Sequence, residues 1–300
     1  MFYNFYTAAT DLEISVSSKL TSLQKEVIGE CAQRIVSLKE GRGDLFDIPT
    51  SVCYEINRLE SLSSHTSSKK KVILLNQSSR SLKSVDIGRF QDDVTLIRND
   101  FINLQGLVVW GNMDPVVTMV NTRLSVLTSL HIDTTLSFKA FANLDNELKC
   151  LQKLYIGVDQ DNWDCEMLGI INLINKSPYL IELSLNYVED VHELTECPPI
   201  KNIKYLKICP DNDDDDDDLS SYSQFLESCT GVIDLTMELC GSRDWMLILE
   251  EEWYLSSVKK VNIEHARENL TVYHVKQHFS DEAEINLFFD KCWYISDNDD

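Results

Sequence analysis

The sequence lacks a cysteine pair motif, a long apolar run, a secretory signal and a glycine-rich loop. Its nine cysteines are irregularly spaced and none form C-x-x-C, so buried free thiols in a reducing compartment are expected. The longest apolar runs, such as Val72 to Leu75, are far too short to span a bilayer. The first ten residues have neither the basic flank nor the apolar core of a signal peptide. We therefore expect a cytoplasmic or nuclear protein that is not inserted in a membrane.

Patterns typical of catalysis or metal binding are also missing. There is no G-x-S-x-G elbow and no phosphate-binding loop. The acidic stretch that starts at Asp159 resembles a calcium loop, but Asp164 stands where the loop requires glycine and Ile170 where it requires glutamate. His274 and His278 have the spacing of a metal pair but no third ligand beside them. The sequence predicts a protein that is not an enzyme and uses neither cofactor nor metal.

Basic residues are scarce, and the excess of acidic over basic residues is unevenly distributed along the chain. The net charge is −22, and residues 101–300 carry all of it, with 14 basic and 36 acidic side chains. Such a field opposes binding to nucleic acid and to anionic lipid, so basic or neutral protein partners are expected. The densest acidic run, Asp211 to Asp218, is predicted to be an exposed loop because like charges at this density repel each other.

What the chain does contain is a repeated hexamer, apolar-x-x-apolar-x-apolar. Leu151 to Ile156 and Leu180 to Leu185 are the clearest copies, and their last three positions alternate at the strand period of two. Eight copies occur at steps of 22–29 residues, starting at Leu82, Leu104, Leu127, Leu151, Leu180, Ile203, Val232 and Val258. Helix-like segments lie between them, at Val116 to Leu127, Ser137 to Leu148, Cys165 to Ile174, Ser220 to Cys229 and Trp245 to Leu255. A short strand that feeds a helix and then repeats indicates a solenoid.

Over roughly residues 72–266 the chain resembles the leucine-rich repeat family, whose unit is L-x-x-L-x-L-x-x-N/C-x-L. The ninth position departs from the family, because only Asn112 and Cys240 fit it. The resemblance implies an α/β solenoid with parallel strands on its concave face and helices outside. Helix-sized connectors are typical of the α-helical form of this horseshoe. The segments Ser177-Pro178-Tyr179-Leu180 and Cys197-Pro198-Pro199, each before a strand, resemble the repeats of F-box proteins.

In such a unit, positions one, four and six point into the core, and positions three, five and seven point to the concave face. With the exposed position two, the face has six lysines and six acids over eight repeats and is predicted to be neutral. Either the charges merely balance by cross-strand pairing, or the face is kept mixed so that a protein can dock. The candidate contact residues are Trp110, His131, Tyr155, Glu182, Tyr205, Lys207 and Asp234.

The N-terminal 70 residues are predicted to be a small helical region. One helix is expected from Leu20 to Leu38 and another from Ile48 to Leu59, and the Ser- and Lys-rich stretch from Ser61 to Lys71 is predicted to be a linker. The expected domains are residues 1–70, a solenoid over 71–290 and an acidic tail over 291–300.

The second of these helices also resembles the opening of an F-box. The apolar-proline pair Ile48 and Pro49 is followed by Val52 and Ile56 at the matching intervals, ahead of the repeats, and Leu59 extends the same apolar face. The resemblance implies that these five residues dock to the adaptor subunit of a cullin ubiquitin ligase. Proline in the first turn of an ordinary helix explains the same pattern.

Two functions follow from these patterns. As the substrate receptor of a ubiquitin ligase, the chain binds the adaptor through its N-terminal region and the target through the concave face. As a free-standing scaffold or inhibitor, it uses the N-terminal helices only to cap the exposed end of the solenoid. Both predict protein recognition through the concave strands.

Overall fold

The structure, a computed structural model, describes twelve segments of the chain. They are residues 12–16, 20–40, 48–64, 69–90, 101–111, 126–134, 138–158, 167–188, 191–209, 220–238, 253–264 and 270–289. The acidic run, the acidic tail and the calcium-like stretch therefore lie outside the described residues.

Twelve parallel strands form one sheet and lie side by side in chain order. The strands are β1 Leu12–Val16, β2 Ile35–Glu40, β3 Ser61–Ser64, β4 Ser84–Phe90, β5 Gly106–Gly111, β6 Ser129–Thr134, β7 Lys153–Val158, β8 Glu182–Asn186, β9 Tyr205–Cys209, β10 Asp234–Glu238, β11 Lys260–Glu264 and β12 Glu284–Leu287. Sequential parallel strands require a connection that returns each time to the same end of the sheet, which the intervening segments provide.

The eight hexamers are confirmed as β4 to β11. Each strand begins at the third hexamer position, and third positions pair with third positions across the sheet, as Lys153 does with Ser129 and Glu182. The apolar positions of the β5 to β11 units are buried as predicted; in the unit of β7, Leu151, Leu154 and Ile156 are at most 1% exposed. Burial of each such side chain contributes about 1.5–3 kcal/mol, so the repeated triplet holds the array together.

A recurring backbone contact fixes where each strand starts. The carbonyl of the second hexamer position accepts hydrogen bonds from the second and third N–H groups of the next repeat. Gln152, for example, accepts from Ile181 and Glu182, both at 2.9 Å. The residues whose carbonyls accept two such bonds are Glu60, Lys83, Gln105, Thr128, Gln152, Ile181, Lys204 and Ile233. Because buried or half-buried carbonyls need donors, this pairing keeps the repeats in register.

Helices connect the strands on the buried side of the sheet. The α-helices are α1 Ser22–Glu30, α2 Thr50–Glu55, α3 Lys69–Gln77, α4 Met167–Asn175, α5 Ser220–Ser228 and α6 Val272–Lys276. Helices α4 and α5 confirm the predictions for their segments, whereas the segment from Ser137 forms a 3-10 helix, Phe138–Asn143. The helices predicted from Val116 and from Trp245 lie mostly outside the described residues. Within the described ranges, no helix has the length and apolar character that crossing a membrane requires.

The N-terminal residues differ from their prediction. The helix expected from Leu20 to Leu38 ends at Glu30, and strand β2 follows it. The expected linker contains β3 and the start of α3, where Lys71 is buried and donates to the carbonyl of Ser64 at 3.4 Å. Strand pairing therefore continues through residue 70, and β3 pairs with β4 as any other neighbours do.

A candidate binding surface on the open strand face

The face of the sheet opposite the core is formed by positions three, five and seven of β4 to β11, and we call it the open strand face. It carries three lysines, Lys153, Lys207 and Lys260, against six acids, a net charge of −3. The six acids are Asp86, Asp133, Glu182, Asp234, Glu238 and Glu264. The sequence predicts a neutral face because the predicted face also includes three lysines at position two. Those lysines precede the strands and lie where the strands begin, so they are not part of the open strand face.

Three of the predicted contact residues form a continuous aromatic row. Trp110 of β5, His131 of β6 and Tyr155 of β7 lie on successive strands, with ring centroids 5.9 Å and 3.7 Å apart. Asn186 on β8 donates a hydrogen bond to the Tyr155 hydroxyl and orients that ring. Trp110 is 37% exposed, and the other two rings are half-buried. The row therefore presents ring surface to solvent while its inner edge is held by the sheet.

His131 sits in the middle of this row without a complete set of hydrogen bonds. Its Nε2 is buried and has no hydrogen-bond partner, and Oδ1 of Asp86 on β4 is in the same condition. The other oxygen of Asp86 accepts from the Ser63 hydroxyl at 2.9 Å. Burial lowers the pKa of His131 below its usual 6.5, against the opposing effect of the Asp86 charge. The imidazole is therefore neutral at pH 7.

A glycine brings a second carboxylate close to the Tyr155 ring. A Cβ added at Gly157 would lie 3.3 Å from the carboxyl carbon of Asp133 and 3.4 Å from the Tyr155 ring. The missing side chain thus leaves the space in which these two groups approach each other. Burial, and after it the Asp133 charge, raises the pKa of Tyr155 above 10. The phenol consequently stays protonated at neutral pH.

The rest of the face is occupied by ion pairs between strands. Lys207 on β9 lies 2.6 Å from Glu238 and 3.0 Å from Glu264, two strands away. Burial opposes the charge of Lys207, but its bonds to both glutamates outweigh that effect and raise its pKa. Lys153 pairs with Glu182 at 2.6 Å. Cross-strand pairing thus accounts for most charges on this part of the face.

The predicted contact residues accordingly fall into three sets. Trp110, His131 and Tyr155 lie together, and Tyr205 stands apart, 46% exposed at the start of β9. Glu182 and Lys207 are held in ion pairs, and Asp234 accepts from Asn262 at 3.4 Å. Sequence reasoning counted Asp86 and Asp133 among the charges but did not single them out, although they occupy the same hexamer positions as the residues that it chose.

Three of the five proposed adaptor-binding residues lie inside the protein, and the other two, Pro49 and Val52, are half-buried. Ile48, Ile56 and Leu59 are completely buried in the common core, and Val52 packs against it. Leu59 occupies the first hexamer position of the β3 repeat, which explains its burial. Docking to an adaptor needs an exposed apolar face, and these side chains do not form one in the folded chain.

Most of the remaining histidine and cysteine side chains pack against neighbouring residues or cap a helix. His278 stacks on Trp253 at 4.1 Å between ring centroids, whereas His274 caps its helix through Thr271, so the two do not form a pair. Five of the six described cysteines are buried, and none of the six is in a disulfide. Burial raises the pKa of Cys197 to about 11 and that of Cys229 to about 12, so both thiols stay protonated. Among the described residues, no three potential metal ligands lie close enough to share an ion.

No model of a known protein family matches the chain, and no curated protein is similar to it in sequence.

We expect His131 to make the stability of the fold depend on pH. As the pH falls through 6.5, the unfolded imidazole takes up a proton before the folded one does, because the folded pKa is lower. The folded state therefore loses stability below that pH, and the loss is complete below the folded pKa. Denaturant unfolding of the protein and of His131→Gln between about pH 7.5 and 5 measures this. A free-energy difference between them that does not change with pH would contradict it.

Proposed function

We propose that this chain is a non-enzymatic protein-recognition module, an irregular leucine-rich repeat solenoid that binds a protein through its open strand face. The aromatic row of Trp110, His131 and Tyr155 is the observation that carries the proposal. Aromatic rings with one exposed side are the usual anchors of protein interfaces, and here they lie on a rigid sheet, so little conformational entropy is lost on binding.

The pattern of burial supports this use of the sheet. In strands β5 to β11 the apolar side chains of positions four and six are buried, whereas those of positions three and five, apart from Ser184, are exposed or half-buried, so the open face can change in sequence without loss of the fold. An array of this kind offers a long binding surface and is well suited to an extended partner. The residues 1–70 serve in this proposal as further repeats of the array.

Affinity purification with mass spectrometry tests the proposal. The double variant Trp110→Ala with Tyr205→Ala is expected to lose the specific partner, with about a tenfold or larger loss of affinity, and to keep its thermal midpoint. The matched control is Tyr254→Ala with Tyr273→Ala, which removes two exposed rings, 54% and 81% exposed, that lie outside this face. Loss of the partner in the control but not in the face variant would contradict the proposal.

The free-standing form of this function is favoured over the ligase receptor. A receptor needs residues such as Ile48, Ile56 and Leu59 at its surface, and all three are buried. Purification from the same extract distinguishes the two forms. Stoichiometric recovery of a cullin adaptor with the full chain would reinstate the receptor.

A further inference from the structure

We infer that the part of the open strand face around the aromatic row binds an arginine side chain of a positively charged partner segment. The site consists of Trp110, His131 and Tyr155 with the carboxylates of Asp86 and Asp133. This inference rests on the proposed function and names the chemistry of the partner.

The charges of the face point to a cationic ligand at this place. The acids of β8 to β11 are largely balanced, since Glu182 pairs with Lys153 and both Glu238 and Glu264 pair with Lys207. Asp86 lies beside the aromatic row: it accepts from Ser63, and no lysine or arginine in the described part of the chain pairs with it. The Asp86 carboxylate therefore supplies a negative charge without a basic partner beside the aromatic row, where a cationic ligand would balance it.

The rings supply the second requirement of a cation site. A guanidinium stacks on the faces of tryptophan and tyrosine, and the attraction grows as water is excluded. Trp110 and Tyr155 flank the His131 ring on either side, with centroids 5.9 Å and 3.7 Å from it. Because His131 is neutral at pH 7, it adds no positive charge that would repel the ligand.

Polar atoms without hydrogen-bond partners supply the third requirement of the site. Oδ1 of Asp86 and Nε2 of His131 are buried without a hydrogen-bond partner in the unbound protein. The two residues occupy equivalent fifth positions, two strands apart, with Val108 between them. A small rotation of the Asp86 or His131 side chain would let a ligand with several N–H donors reach these atoms. The new hydrogen bonds would satisfy both groups, and this gain favours the bound state over the unbound one.

These requirements select arginine over lysine. The guanidinium is planar and carries five N–H donors, so it can stack on a ring and bond to carboxylates at once. An ammonium group is compact and strongly hydrated, and it meets only the charge requirement. A neutral side chain of the same shape as arginine meets only the stacking requirement.

Peptide binding tests the inference. The probes are a labelled peptide of Gly-Arg-Ser repeats and two matched peptides in which lysine or citrulline replaces every arginine, and fluorescence anisotropy reports binding. The acidic run would attract any cation, so the protein used is the full chain with Asp213 to Asp218 all changed to asparagine. We expect the arginine peptide to bind several-fold more tightly than the lysine peptide, and the citrulline peptide not to bind.

Point variants in the same background locate the site. Asp86→Asn is expected to weaken the arginine peptide by about tenfold, since it removes a charge-assisted contact. Trp110→Ala is expected to weaken it by about fivefold. The matched control Asp234→Asn removes the same charge from the same face, on β10 beside Tyr205 and away from the aromatic row, and should change the affinity less than about twofold. Thermal midpoints confirm that each variant is folded.

Three results would overturn the inference. They are loss of all binding once the acidic run is neutralised, equal binding of the arginine and citrulline peptides, and an equal effect of Asp86→Asn and Asp234→Asn. The proposed function is judged separately. If the purified partner depends on Trp110 and Tyr205 while the arginine peptide fails, the inference falls and the proposed function stands.

Discussion

Replacing Leu154 with alanine is expected to lower the free energy of unfolding by about 3 kcal/mol, and replacing its neighbour Lys153 by less than about 0.5 kcal/mol. Leu154 is 1% exposed at the fourth hexamer position, where its removal leaves a cavity between β6, β8 and the helices. Lys153 points to the other face, where its ion pair with Glu182 is exposed and worth little.

Urea denaturation of the two variants measures this difference. Adjacent residues on one strand share backbone geometry and neighbouring strands, so the comparison isolates the side of the sheet on which each side chain lies. Equal losses for Lys153→Ala and Leu154→Ala would contradict the assignment of faces. The reverse order would place every strand residue on the wrong side of the sheet.

Gly169→Ala is expected to destabilise the protein by about 3 kcal/mol or to prevent its folding. Intrinsic helix propensity predicts the opposite sign, because alanine inside a helix is favoured over glycine by about 1 kcal/mol. An added Cβ, however, would lie 1.9 Å from the carbonyl oxygen of Phe138. Backbone atoms of the 3-10 helix Phe138–Asn143 touch α4 at this point, so the contact cannot be relieved by a side-chain rotation.

Gly106→Ala is the matched control. A Cβ at Gly106 would meet its nearest atom, the Ser84 hydroxyl oxygen, at 3.6 Å, which is ordinary van der Waals contact. The free energy of unfolding of this variant should differ from that of the parent by less than about 0.5 kcal/mol. A Gly169→Ala protein as stable as the parent would mean that helix α4 does not pack against the Phe138 segment as described.

The strands were predictable because the spacing of apolar residues in the hexamer indicates both a strand and which of its side chains are buried. In Leu151 to Ile156, the positions four and six alternate as a strand must, and position one marks the turn into it. A single copy carries little information, but eight copies at similar spacing support one another. The order and the parallel direction of β4 to β11 follow from that repetition.

The strands that were missed each lack one of the three apolar positions. The unit of β2 has Glu40 at its sixth position, and that of β3 has Ser64 there. The first and fourth positions are three residues apart, which is also the spacing of a helix face. Ile35 and Leu38 therefore continue the apolar pattern of α1, which is why the sequence predicts one helix from Leu20 to Leu38 and misses strand β2.

The candidate surface could be predicted only in part. Alternation along each strand placed Trp110, His131 and Tyr155 on one face, and their register on neighbouring strands brought them together. Pairing across strands was not predictable residue by residue, because Lys207 reaches Glu264, which is 57 residues away in the chain. The burial of Ile48 and Ile56 likewise depends on contacts with distant repeats, so a local helix pattern could not reveal it.

Hydroxyl-radical footprinting of the chain with its purified partner tests most directly whether the open strand face is the binding surface. Trp110 and Tyr205 are exposed on that face, whereas Tyr179, Tyr254 and Tyr273 are exposed elsewhere. Binding is expected to slow the oxidation of Trp110 and Tyr205 severalfold and to leave the other three unchanged. Protection of Tyr179, Tyr254 or Tyr273 with unchanged oxidation of Trp110 and Tyr205 would contradict the proposed function.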